Sequence, residues 1–103
     1  MKGATLIRTD GTQEEVWPSV KKSKFVLEEM RTFVGGSIGL IHLLHGEVLV
    51  VNDNGKSQQL LPNHEASNLL IAAFGESQAA QMTGTYPPLV VGNVLHCRYS
   101  QVD

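Results

Sequence analysis

The sequence predicts an α+β fold: a single small domain over residues 1–103 in which a mainly antiparallel, curved sheet carries two short helices packed on one face. Three observations predict it. Phe25 to Gly36 runs from an amphipathic helix former into a glycine pair, a helix followed by its stop signal. Leu49-Val50-Val51 and Val94-Leu95-His96-Cys97 are apolar runs of strand composition. Pro62-Asn63-His64-Glu65 opens a second apolar-faced segment that Gly75 closes.

The elements follow in order. Ala4 to Thr9 and Gln13 to Trp17 flank Asp10-Gly11, a pair that tolerates positive φ and suits a hairpin. Pro18 and the polar run Ser19 to Ser23 interrupt the chain, after which Phe25 and Val26 anchor a helix from Leu27 to Phe33. Leu27, Met30 and Val34 share its buried face, and Gly35 or Gly36 supplies the left-handed residue that ends it. Ile38 to Leu44 and Glu47 to Val51, joined near His45-Gly46, read as central strands of the sheet. Asn52 to Lys56 is a polar chain reversal, and Gln58 to Leu61 offers a further pairing segment. In the second helix Asn63 is the N-cap, and Ala66, Leu69, Leu70, Ala73 and Phe74 form the buried face. Glu76 to Thr85 is weakly patterned and is compatible with a loop, a short helix or a flap. Tyr86-Pro87-Pro88 imposes an extended entry into Leu89 to Val91, and Val94 to Tyr99 is the final strand.

Composition bounds the function classes. A chain of 103 residues with 42% hydrophobic and 17% charged content hides roughly 60–70% of its unfolded surface, enough for one core. Eight basic against ten acidic residues leave a formal charge of −2, so no global cationic field gathers nucleic acid, and strong nucleic-acid binding is not expected. The single cysteine, Cys97, forms no internal disulfide and reads as a buried thiol in a reducing compartment, which points to the cytoplasm. No apolar run approaches the roughly 18 residues of a membrane span. A soluble protein without membrane association is the expectation.

Six segments form an ordered pattern: the opening strand ending in Asp10-Gly11-Thr12, Phe25-Val26-Leu27-Glu28-Glu29-Met30, and Val34-Gly35-Gly36-Ser37-Ile38. Val48 to Lys56, Leu61-Pro62-Asn63-His64-Glu65-Ala66 and Val91 to Cys97 complete it. Together they resemble a small domain family of unknown function encoded mainly by bacteriophages and mobile elements. The resemblance implies life in the cytoplasm of an infected bacterium and brings no established catalytic residues. The chain departs from the pattern at Gly39, where such domains commonly carry an acidic residue.

Catalytic and metal chemistry find little support in the residues, and no catalytic residue, metal site or cofactor is assigned. His42 and His45 are separated by an odd interval that sends strand side chains to opposite faces, and His96 alternates with Cys97 in the same way. Asn54-Gly55-Lys56-Ser57 has the end of a phosphate loop without its upstream glycine or its following helix. Glu14-Glu15 and Glu28-Glu29 read as solvated pairs. Lys21, Lys22 and Lys24 form the one basic cluster, beside the aromatic residues Trp17 and Phe25.

The expectation is therefore a non-enzymatic, phage-encoded accessory binding protein with a counter-defence role, sequestering a small nucleotide signal or occupying a host protein. Its candidate ligand contacts are Gly35 and Gly36 through their backbone, Lys56 as an anion contact, Asn63, Trp17 with Lys24, and Tyr86 in the variable segment. Two other readings stand beside it. One is a small histidine-dependent hydrolase or nuclease acting through His42 or His96. The other is a structural homo-oligomer assembled through exposed strand edges.

Overall fold

In a computed structural model, which describes residues 3–103, β1 (Ala4–Ile7) and β2 (Gln13–Val16) pair antiparallel across the Asp10-Gly11 turn. The Asp10 carboxylate accepts from both the backbone N–H and the hydroxyl of Thr12 (2.9 and 2.7 Å), which fixes the turn. The remaining strands are β3 (Ile38–His42), β4 (Glu47–Asn52), the two-residue β5 (Pro62–Asn63) and β6 (Val90–Val91), and β7 (Val94–Arg98). Five of them form one antiparallel sheet in the order β2-β1-β7-β4-β3, while β5 and β6 pair by themselves. With α1 (Leu27–Val34), α2 (His64–Phe74) and α3 (Glu76–Thr83), this is the expected α+β domain with an antiparallel sheet.

Its layering is richer than expected, because the helices cover both faces. Val48 and Val50 of β4 and Leu95 and Cys97 of β7 pack with Phe25, Met30 and Val34 on the α1 side. Leu49 and Val94, which alternate with them along the same strands, pack with Ala66, Leu70, Ala79 and Val90 on the other. Two covered faces explain why β4 is a continuous apolar run. The third helix is the weakly patterned 76–83 segment; only Ala79 and Thr83 of it are buried, so it carries little hydrophobic periodicity.

Local expectations held or failed for identifiable reasons. Gly35 ends α1 at φ 82° with its N–H donating to the Arg31 carbonyl, and the Asn63 side chain caps α2 by accepting from the Ala66 N–H. Leu27 is 44% exposed, because the inner surface of α1 is carried by Met30 and Val34 with Phe33 beside them. In α2 the buried set is Ala66, Ser67 and Leu70, with Leu69 and Phe74 only partly covered at the margin of the core. Gln58 to Leu61 forms no strand; the turn after β4 closes through Gln58 N–H to the Asn54 carbonyl and Leu60 N–H to the Gly55 carbonyl. The final strand stops at Arg98, and Tyr99–Gln101 is a 3-10 turn. β3 is an edge strand rather than a central one, because β7 inserts between β1 and β4 and leaves β3 at the end of the sheet. Among the described residues no helix is long and apolar enough to cross a membrane.

Candidate functional site

The free edge of β3 and a cleft beside it form the candidate site. Asp53 N–H donates to the Ser37 carbonyl and Leu43 N–H to the Glu47 carbonyl (both 2.8 Å). Together with the pairs Gly39 to Val51 and Ile41 to Leu49, these bonds assign the odd-numbered residues as those whose backbone faces β4. Alternation in an antiparallel ladder then turns the N–H and C=O groups of Ile38, Leu40 and His42 outward, where no strand of the described residues receives them. The opposite edge is guarded differently. Gln13, Glu14 and Glu15 of β2 are exposed, and Glu14 pairs with Arg8, whereas β3 contains no lysine, arginine or acidic residue.

On the α2/α3 face a cleft of about 470 Å³, within the usual size of ligand pockets, runs along this strand. Gly39, Ile41 and Val51 form its floor, the turn from Asn52 to Ser57 one end, and Met82, Thr83 and Leu89 to Val91 its far wall. The end wall is stiff. The buried Asn52 amide donates to the Val34 carbonyl and to Gln58 Oε1 (3.1 Å each), while its oxygen accepts from Asn54 N–H at 2.8 Å. A methyl group at Gly55 would stand 2.7 Å from Val91 Cγ2, so the turn presses against β6 as only glycine allows. The Lys56 ammonium donates to the Thr83 carbonyl at the C-terminus of α3, where the helix dipole favours a cation. Asp53 is exposed, and its carboxylate has no hydrogen-bond or ion-pair partner among the described residues. It lies over Gly39: a Cβ there would be 3.1 Å from Asp53 Oδ1.

No family model, curated protein or solved structure matches the chain.

The seven residues singled out from the sequence do not converge. Lys56 lines the cleft, tied to Thr83. Gly35 lines a second, shallower hollow of about 330 Å³, and Gly36 backs onto the Asn52 side chain, so the pair's visible task is helix termination. Asn63 is fully buried, and its amide donates to the Ile7 and Gly92 carbonyls (2.9 Å each) while its oxygen caps α2, which leaves nothing for a ligand. Trp17 is half-exposed at the end of β2, Lys24 lies in an exposed loop, and Tyr86 is 77% exposed. Phe25, grouped with the lysine cluster as an aromatic neighbour, is completely buried and offers no stacking face; Lys21 pairs with Asp103 at 2.7 Å.

The histidines lie apart. His42 rests against the Tyr99 ring (centroids 5.1 Å), His45 occupies the β3–β4 turn, and His64 begins α2. His96 Nε2 is 2.8 Å from Glu47 Oε1 beside a small hollow, yet no hydroxyl hydrogen-bonds the ring among the described residues. Cys97 packs into the α1-side core, and burial pushes its thiol up to about 11, away from nucleophilic use.

Reading the turn from Asn52 to Lys56 as a mere chain reversal overlooked Asp53, and reading β3 as central overlooked its edge. No local signal marked the edge, because Ile38–His42 has the apolar composition of a central strand; Gly39 signalled only a close approach, that of Asp53.

Proposed function

We propose that the protein is a non-catalytic binding protein that occupies a partner protein by strand addition: an extended segment of the partner pairs with β3 and sets alternate side chains into the adjoining cleft. The carrying observation is the outward backbone of Ile38, Leu40 and His42 alongside the cleft floor of Gly39 and Ile41. Main-chain hydrogen bonds supply affinity in such recognition, and a pocket for every second side chain supplies selectivity. In the phage setting that the motif order suggests, the partner is a bacterial host protein and the outcome is counter-defence by occupation. A nucleotide signal is the less favoured ligand, because the one ammonium in the cleft is already held by the Thr83 carbonyl.

The test uses His42, which is exposed and whose N–H points away from β4. His42→Pro removes that donor without costing a ladder bond, since proline is tolerated on the open side of an edge strand. His42→Ala, which loses only the ring contact with Tyr99, is the control. Stoichiometric capture from bacterial extract by wild type and His42→Ala but not by His42→Pro is expected, with the amides of Ile38, Leu40 and His42 becoming protected from hydrogen exchange in the complex. Equal capture by all three proteins refutes the reading.

A further inference from the structure

Resting on strand addition at β3, we infer that the occupant is an extended peptide carrying a basic side chain two residues after an apolar one. Antiparallel pairing, the kind that joins every described strand of this sheet, places the occupant's backbone opposite Ile38, Leu40 and His42 as hydrogen-bonded pairs. The occupant residues opposite Ile41 and Gly39 then form the close, non-hydrogen-bonded pairs, and their side chains stand on the cleft side of the sheet. Since an antiparallel occupant runs against β3, the residue opposite Ile41 comes first and the residue opposite Gly39 two positions later.

The two positions have different chemistry. Opposite Ile41 the surroundings are apolar, since its partner on β4 is Leu49 and it packs against the α2/α3-side core. A leucine, isoleucine or valine there removes apolar surface from water. Gly39 itself carries no side chain, and the carboxylate lying over it is that of Asp53, which has no side-chain partner among the described residues. The other charge in the cleft, the Lys56 ammonium, is committed to the Thr83 carbonyl, so the unanswered charge is negative. A long lysine or arginine side chain lying across Gly39, with no side chain of that residue in its way, reaches the carboxylate and answers that charge.

Labelled threonine-rich peptides provide the probe: one with leucine and lysine two positions apart, one with glutamate replacing the lysine, and one with threonine at both positions. Fluorescence anisotropy with the full chain at low salt is expected to rank leucine–lysine first, about tenfold tighter than leucine–glutamate. Asp53→Asn should weaken the leucine–lysine peptide about fivefold and leave the threonine-only peptide unchanged. His42→Pro should weaken every peptide.

The arms separate the two claims. Equal affinity for the lysine and glutamate peptides, with binding still lost in His42→Pro, overturns the basic preference and leaves strand addition standing. Binding indifferent to His42→Pro, or absent for all peptides, overturns strand addition itself. A dimer in sedimentation that His42→Pro dissociates makes a second copy of the chain the occupant, which overturns the basic peptide and the foreign partner and leaves strand pairing at β3 standing.

Discussion

The side-chain amide of Asn63 donates to the backbone carbonyl of Ile7 at 2.9 Å, tying the start of α2 to the end of β1 across 56 residues of sequence. The same nitrogen reaches the Gly92 carbonyl, and Ser67, one turn into α2, donates to the Asn63 carbonyl (2.7 Å) and accepts from the Val90 N–H (2.8 Å). One buried amide therefore caps a helix and closes the junction of the two sheets.

Replacing Asn63 with alanine removes the cap and leaves two buried carbonyls without a donor. A loss of about 2–4 kcal/mol in urea unfolding is expected. Asn63→Asp keeps the cap acceptor but sets a carboxylate against both carbonyls, so it should be at least as damaging at neutral pH. A cost below about 1 kcal/mol for either variant contradicts this role.

Glu29 organises the other helix start. Its carboxylate accepts from the Ser19 N–H and hydroxyl (2.9 and 2.6 Å) and from the Val26 N–H (3.1 Å). Burial pushes its pKa up, but the hydrogen bonds from Ser19 and then Val26 outweigh that and hold it below the ordinary 4.5. A carboxyl group depressed in the folded state adds stability above its unfolded value, and that stability is lost as pH falls through the folded one. Glu29→Gln should therefore cost about 1 kcal/mol at pH 7, and its deficit should shrink below pH 4.5. Denaturant titrations of both proteins across that range check it.

Cys97 gives the opposite pH signature at the alkaline end. With its ordinary value of 9.0 raised to about 11 by burial, the unfolded thiol ionises before the folded one. The unfolded state then binds fewer protons, so stability falls as pH rises between those values, by at most about 1.4 kcal/mol per pH unit. Wild type should lose stability relative to Cys97→Ala over this window, and iodoacetamide should label native Cys97 only at the rate of opening. Rapid labelling of the native protein at pH 8 contradicts the buried placement.

Gly35→Ala tests the glycine pair as a structural device. Nothing stands within 4 Å of the added methyl, so the cost is that of a left-handed backbone alone, about 1 kcal/mol. Partner capture should be unchanged once the variant is folded. Lost capture with intact stability would restore the pair as a contact surface.

How much could be read in advance differs from element to element. The caps at Gly35 and Asn63 and the apolar run of β4 through Leu49 and Val50 were legible, because each follows from neighbours within a turn or a strand. Helix α3 was not, since its two buried residues, Ala79 and Thr83, carry no hydrophobic stripe. The candidate site was barely legible: of the seven ligand contacts named in advance only Lys56 lines the cleft, and Asp53 and Ile41 were given no role.

By itself the sequence determined the kinds of elements, their order and most of their ends, through φ preferences, capping chemistry and apolar period. Tertiary structure alone decided which strand would stand at the edge. Ile38–His42 is as apolar as a central strand, and only the arrival of Val94–Arg98 between β1 and β4, some fifty residues later, leaves its outer side open. Pairing partners are chosen by long-range packing and hydrogen bonding across the whole chain, and no local preference of the strand records that choice.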